Sequence, residues 1–122
     1  MQQDYKFLDM PGLLATRVTR QDPDNREVWI LDEGWYDRTR RLYASLLSFF
    51  QDNALIRAPA SWSSIDEVVL MFSDLTDDGQ ALVRSGAEET WVCGFDRPGS
   101  KKDYANTKSL QRALDKIRRP VS

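Results

Sequence analysis

Residues 33–53, EGWYDRTRRLYASLLSFFQDN, decide the fold. Their apolar side chains recur at intervals of three, four or seven positions, which is the period of an α-helix. These side chains are Trp35, Leu42, Leu46, Phe49 and Phe50. Asp32 and Glu33 suit the start of such a helix, because carboxylates there oppose the positive end of the helix dipole. The apolar stripe is wide, so we predict a central helix packed in the core.

Residues 1–31, which precede this helix, contain two strand-like stretches around a turn. Residues 13–20 and 27–31 carry Thr, Val, Trp and Ile, which favour strands. The stretch between them, Gln21-Asp22-Pro23-Asp24-Asn25, has turn chemistry, since Pro fixes φ and Asp and Asn tolerate unusual backbone angles. Two structures fit this pattern, a β-hairpin or a short helix after Pro11, and the hairpin is our prediction.

A strand and a helix are predicted directly after the central helix. The run Val68-Val69-Leu70-Met71-Phe72 is β-branched and aromatic and predicts a buried strand over residues 66–73. Residues 76–96 predict a helix with Thr76 as its N-cap. This helix would contain Gly79, Gly86 and Gly94, and glycine within a helix often marks the close approach of another backbone.

A basic C-terminal helix is predicted over residues 107–119, with Thr107 as its cap. Its apolar seam consists of Leu110, Ala113, Leu114 and Ile117. Together the elements predict a single small α+β domain, rich in helix, with a short antiparallel hairpin or sheet.

Composition excludes several classes of protein. The 122 residues are enough for one domain with a real core. The chain has no His, which removes every mechanism that needs imidazole, and its single Cys excludes a disulfide framework and a cysteine-rich zinc site. Neither a signal peptide nor an apolar run of membrane-spanning length is found, so the expected location is cytoplasmic.

Charge is distributed unevenly along the chain. The net charge is −2, but residues 1–96 carry seventeen acidic and nine basic side chains, a net −8, whereas residues 97–122 carry a net +6. The ordinary interpretation is a basic helix docked on an acidic body, or simply a solvated face. Two more specific ones are an acidic body that meets a basic partner and a basic tail that contacts nucleic acid, although the sequence pI near 5.1 argues against the whole domain binding nucleic acid.

Residues 46–84 resemble the second half of a MarR-type winged helix. The matching positions are Leu55, Ile56 and Arg57 after the helix, and Leu75, Thr76, Gly79 and Leu82 at the start of the next one. Ala54 stands where that family usually has Gly, and residues 64–67, Ser-Ile-Asp-Glu, replace its basic wing. The resemblance implies a winged-helix-like topology. The resemblance implies transcriptional regulation by DNA binding, which would use Arg38, Arg40 and Arg41 on the central helix together with the basic C-terminal tail.

No group of residues predicts catalysis, a cofactor or a metal site. Asp74, Asp77 and Asp78 could offer oxygen ligands to Mg²⁺, but their positions suit the start of a helix better. Cys93 lies on the apolar stripe of the predicted helix, so we expect it to be buried and unreactive. The enzyme class is therefore not our prediction.

The remaining class is a non-enzymatic protein-binding domain. A bacterial immunity or antitoxin protein, which masks the basic surface of a cognate nuclease or other toxin, fits a small acidic chain because opposite charge steers such partners together. The predicted partner-facing residues are Asp66, Glu67, Asp74, Asp77 and Asp78, with Trp62 as an anchor. The alternative is the DNA-binding regulator described above. No membrane partner is expected, and the sequence does not indicate an oligomeric state.

Overall fold

A computed structural model describes residues 4–57, 64–94 and 106–119. Four short strands occur in chain order, β1 (Lys6–Asp9), β2 (Thr19–Gln21), β3 (Trp29–Leu31) and β4 (Val69–Met71). The α-helices are α1 (Met10–Ala15), α2 (Glu33–Asp52), α3 (Asp77–Arg84), α4 (Ala87–Cys93) and α5 (Lys108–Arg118). Two 3₁₀ turns, Ile65–Glu67 and Phe72–Asp74, lie on either side of β4. The fold class is α+β.

Helix α2 forms the centre of the molecule. The Asp32 side chain accepts a hydrogen bond from the Trp35 backbone N–H at 3.1 Å, so this carboxylate caps the helix as its position predicts. The buried stripe of α2 packs against α3, α4 and α5 in the main core. Each of those three helices contributes at least one buried residue, and Leu82, Leu110 and Leu114 are completely buried.

A second core lies under a small sheet. Strand β1 pairs antiparallel with β4, with Leu8 opposite Leu70, and the register shifts between Lys6 and Leu8. Leu8, Met10, Val68 and Leu70 are buried together. Because β1 and β4 lie far apart in the sequence, the N-terminal strand has its partner beyond the central helix rather than nearby.

The two structures considered for the N-terminal region both occur. The short helix α1 contains Pro11 and follows β1 directly. The hairpin is formed by β2 and β3, which pair antiparallel in a separate two-stranded sheet. Strand β1, which pairs in the other sheet, was not predicted.

The helix predicted over residues 76–96 is wrong in one respect, because its described part forms two helices, and residues 95–96 lie outside the described residues. Gly86 has φ of +79°, a left-handed conformation that ends α3 and allows α4 to run in a different direction.

The two predicted helix caps differ in outcome. Thr76 does cap α3, since its hydroxyl accepts from the Gly79 N–H at 3.3 Å. Thr107 makes no capping bond through its side chain, and the Asn106 side chain accepts from the Lys108 N–H instead, at 3.2 Å.

The strand predicted over residues 66–73 is also shorter than expected. Only Val69–Met71 pairs as a strand, because 3₁₀ turns occupy the residues on both sides. Near this strand, Ile56 and Leu75 form an isolated antiparallel bridge that joins the end of α2 to the start of α3. Among the helices described, none combines the length and the apolar character needed to cross a bilayer.

Candidate protein-binding site

The acidic residues predicted to face a partner are mostly engaged within the chain. Three of them form ion pairs with arginines. The pairs are Asp66–Arg40 at 2.9 Å, Asp77–Arg57 at 3.0 Å and Asp78–Arg118 at 2.9 Å. Asp74 accepts a hydrogen bond from the Met71 backbone N–H at 2.9 Å. Glu67 is exposed, and Trp62 lies outside the described residues.

These carboxylates are divided between two places. Asp66 contacts Arg40 in the first half of α2, whereas Arg118 joins Asp78 to the carbonyl oxygen of Asn53 at the other end of that helix. A helix rises 1.5 Å per residue, so Arg40 and Asn53 are about 20 Å apart along the axis. The structure therefore does not bring the five predicted residues into one patch.

The arginines proposed for DNA binding also have acidic neighbours. Arg38 lies 3.8 Å from the Asp32 carboxylate, and Arg40 contacts Asp37 at 3.4 Å in addition to Asp66. Arg41 is exposed and has no acidic partner within 4 Å in the described part of the chain. Most of the positive charge on this face is thus compensated within the molecule.

The hairpin exposes an apolar face that sequence analysis missed. Trp29 is 60% exposed and Leu31 45% exposed, and Val28 at the end of the turn is 42% exposed. In the register of the hairpin, Trp29 lies opposite Gln21 and Leu31 opposite Thr19. Side chains alternate along a strand, so Trp29 and Leu31 lie on one face and the half-buried Ile30 on the other.

A signal for this face was present in the sequence. Residues 28–31, Val-Trp-Ile-Leu, are consecutive apolar residues in a predicted hairpin strand. A two-stranded hairpin that packs on a core can bury only one of its faces. Such a run therefore indicates a second apolar face, either covered by another element or left open for a partner.

Hydrogen bonds within the turn fix the hairpin. The Asp22 N–H donates to the Val28 carbonyl at 2.9 Å, and the Val28 N–H donates to the Asn25 carbonyl at 3.0 Å. The side chains of Asp22 and Asn25 each accept from a backbone N–H two residues further on. At the base, the Tyr36 hydroxyl accepts from one backbone group and donates to another in the segment before β2. The strand that carries the exposed face is therefore held in place by hydrogen bonds in the turn and at the base of the hairpin.

Uncompensated carboxylates surround this face. Asp22, Asp24 and Glu27 belong to the turn, and Glu33 follows β3. Within the described residues, no Lys or Arg nitrogen lies within 4 Å of these four carboxylates. The hairpin thus combines an exposed Trp, an exposed Leu and carboxylates with no basic partner in the described residues. The sequence had predicted a similar combination elsewhere, with Trp62 as the anchor beside Asp66, Glu67, Asp74, Asp77 and Asp78.

Two further features, a groove and the single cysteine, offer less support for a binding site. An open groove of about 640 Å³ lies between α2 and the start of α5, lined by polar side chains such as Ser45, Ser48 and Gln111.

Cys93 was expected to be buried and is exposed. Helix α4 buries Trp91, and a position two residues later points about 200° away around the helix, so Cys93 faces outward.

Comparison with known proteins adds no relative. No protein-family model, no curated protein and no solved structure matches this chain. The resemblance of residues 46–84 to a winged helix stays a prediction. In the described residues, no group of three or more His, Cys, Asp or Glu side chains is arranged to hold a metal ion.

Proposed function

We propose that this chain is a non-enzymatic protein-binding domain that neutralises a basic partner protein, as bacterial immunity and antitoxin proteins do. The observation that carries the proposal is the exposed pair Trp29 and Leu31 on a hydrogen-bonded hairpin bordered by uncompensated carboxylates. Trp is enriched among the residues that dominate binding energy, and a preformed support lowers the entropy lost on binding.

Charge supports a basic partner. The excess of acidic side chains over residues 1–96 attracts a positively charged protein and speeds its association. A toxin that acts on nucleic acid must present a basic surface to its substrate. A protein that covers this surface prevents the substrate from binding.

The paired aspartates have a secondary role in this proposal. Asp77 is 95% exposed and Arg57 is 52% exposed, and exposed ion pairs contribute only about 0–1 kcal/mol. A lysine or arginine of the partner can therefore replace Arg57 at small cost. The Asp78–Arg118 pair is similarly accessible, with side chains 44% and 39% exposed.

The competing function is DNA binding through α2 and the basic C-terminal helix. It is the weaker proposal because Arg38 and Arg40 have acidic neighbours and only Arg41 among the three is free of them in the described residues. Phosphate contacts dominate the affinity for DNA, and the aspartates beside these arginines oppose them.

The experiment is an affinity capture from a lysate of the source cells, with and without nuclease treatment, followed by mass spectrometry. We expect one basic protein in both samples. Expression of that protein alone should then stop the growth of a host, and co-expression of this chain should restore it. Capture that disappears on nuclease treatment, or a captured protein whose effect on growth is unchanged by co-expression, would contradict the proposal.

Two matched variants distinguish the apolar face of the hairpin from the exposed apolar surface of the other sheet. Trp29→Ala should weaken capture strongly, whereas Val69→Ala removes an apolar residue of the other sheet that is 36% exposed, against 60% for Trp29. We expect Val69→Ala to capture the partner as the unchanged protein does. Equal loss in both variants would indicate a general effect on folding or solubility rather than a site on the hairpin.

A further inference from the structure

The hydrogen-bonding pattern of the hairpin leaves one edge of β3 open. The Asp22 N–H bonds the Val28 carbonyl and the Asp32 N–H bonds the Val18 carbonyl, both at 2.9 Å. Hydrogen-bonded and non-bonded pairs alternate along an antiparallel ladder. The pairs that contain Trp29 and Leu31 are therefore non-bonded, and the N–H and C=O groups of these two residues point away from β2.

No third strand covers these groups in the described part of the chain, where β2 and β3 form a sheet of two. Such an edge is a template for another extended chain, which would gain main-chain hydrogen bonds from Trp29 and Leu31. A strand added here would continue the face that carries both exposed side chains. Alternate side chains of that strand would pack against the indole and the leucine.

Charge identifies the chemistry of the added strand. Glu27 precedes β3, with the exposed Arg26 before it, and Asp32, which lies 3.8 Å from Arg38, and Glu33 follow it. Acidic side chains therefore outnumber basic ones at the ends of the open edge. The opposite edge of the hairpin carries Arg17 and Arg20, which would repel a basic segment. An extended segment with apolar residues in the middle and Lys or Arg at both ends is complementary to the β3 edge and not to the β2 edge.

We infer that the β3 edge accepts an extended segment of the partner protein, with apolar side chains at alternate positions and basic residues at both ends, as a third strand of the hairpin sheet. The inference rests on the proposed function, because it assigns the place and the conformation in which the basic partner is bound.

A second copy of this chain is the less suitable occupant. Two β3 strands that pair antiparallel about Ile30 would place Glu27 opposite Glu33 of the second copy. Like charges directly opposite each other in a ladder are destabilising. The basic segment has no such conflict.

The test begins with the protein alone, by amide hydrogen exchange measured by NMR. The N–H groups of Trp29 and Leu31 should exchange quickly, whereas those of Asp22 and Ile30, which are bonded within the hairpin, should be protected. Protection of Trp29 and Leu31 in the dilute protein would show that another part of the chain covers the edge, and would overturn the inference. Protection that develops only as concentration rises would identify a second copy and would overturn it too.

The second stage adds the peptide acetyl-KKTVTVTKK-amide as the probe. We expect it to protect the Trp29 and Leu31 amides and to shift resonances mainly over residues 27–33. The same peptide with Glu in place of Lys should bind about tenfold more weakly, which is the effect of losing two exposed ion pairs. Equal binding of both peptides, or binding of neither, would contradict the inference.

Methylation of the peptide backbone distinguishes strand addition from simple apolar contact. N-methylation of the two Val residues and of the three Thr residues in separate peptides removes N–H groups from opposite edges of the strand. One peptide should lose binding and the other should keep it. Two peptides that bind equally well, or equally poorly, would rule out strand addition.

The failure of this inference is distinguishable from failure of the proposed function. If the captured partner is toxic and is neutralised, but its capture is unaffected by Leu31→Lys, the function stands and the β3 edge is not the site. If the peptide adds to β3 but no basic protein is captured from the cell, the edge is real and the proposed function fails.

Discussion

Substitution of Gly79 by alanine tests a close approach between α3 and the segment that follows α2. Gly79 lies in the first turn of α3, against the segment that leaves α2. A Cβ atom at this position would be 2.5 Å from the carbonyl oxygen of Leu55 and 3.2 Å from the Cβ atoms of Leu55 and Leu75. The carbonyl cannot move away freely, because it accepts the Thr76 backbone N–H at 2.8 Å.

Two effects of opposite sign determine the magnitude. Replacing glycine by alanine in a helix stabilises it by about 1 kcal/mol. Forcing a methyl group into a packed site usually costs about 1–3 kcal/mol, and here the obstacle is backbone, which pushes the cost to the upper part of that range. We therefore expect Gly79→Ala to lower the free energy of unfolding by about 1–2 kcal/mol.

The assay is urea unfolding followed by tryptophan fluorescence, with Gly34→Ala as the matched control. Gly34 lies in the first turn of α2, where the nearest atom to a new Cβ is a guanidinium nitrogen of the flexible Arg38 side chain, 3.0 Å away. This control should be neutral or stabilised by up to about 1 kcal/mol. If Gly79→Ala proves as stable as the control, with an unchanged slope in urea, the close approach of α3 to Leu55 is refuted.

Three further predictions concern stability. Leu82→Ala should lower the free energy of unfolding by about 2–5 kcal/mol, because Leu82 is completely buried in the main core, and loss of less than 1 kcal/mol in urea unfolding would contradict this packing. Asp77→Asn should change it by less than about 1 kcal/mol, because the partner Arg57 and the aspartate are both exposed, and a larger loss would show that the pair is structural. Burial, together with the charge of Glu89, raises the pKa of Glu88, so the ionised carboxylate is less favourable in the folded protein than in the unfolded chain. The free energy of unfolding should therefore fall as the pH rises from the ordinary pKa of Glu to the raised pKa of Glu88. Glu88→Gln should accordingly be more stable than the unchanged protein at about pH 7 and lose that advantage at about pH 3.5, below the ordinary value for Glu, in urea unfolding at the two pH values.

The central helix was predictable because its signal is local and repeated. Leu42, Leu46 and Phe49 recur on one side over several turns, and Asp32 supplies its cap within the same stretch. Thr76 gives α3 a comparable local signal. An element whose apolar period and capping residue lie within one stretch of sequence can be predicted without knowledge of the rest of the chain.

The break at Gly86 and the exposure of Cys93 were not predictable from the same kind of pattern. A glycine in a helical stretch fits a close contact, as at Gly79, and equally fits a left-handed corner, as at Gly86. Whether a glycine makes a close contact or a left-handed corner depends on the element that packs against it, and the neighbouring residues do not reveal that element.

The ion pairs made by the predicted acidic residues were not predictable for a related reason. Asp77 and Asp78 are conspicuous in the sequence, but Arg57 and Arg118, which compensate them, are 20 and 40 positions away. The sequence also does not reveal that Trp29 is exposed, because this depends on whether another element packs over that face of the hairpin. Long-range pairing thus determines which charged and aromatic residues remain available to a partner.

The burial of α5 has a consequence for synthesis of the protein. Leu46 on the apolar stripe of α2 is translated 68 residues before Leu114, and Leu110 and Leu114 of α5 complete the covering of that stripe. At translation rates of about 5–20 residues per second, the interval from Leu46 to Leu114 lasts roughly 3–14 s. During those seconds the nascent chain presents Leu46 and its apolar neighbours to the cell. Chaperone demand should therefore respond to the speed of translation between the codons for Leu46 and Leu114.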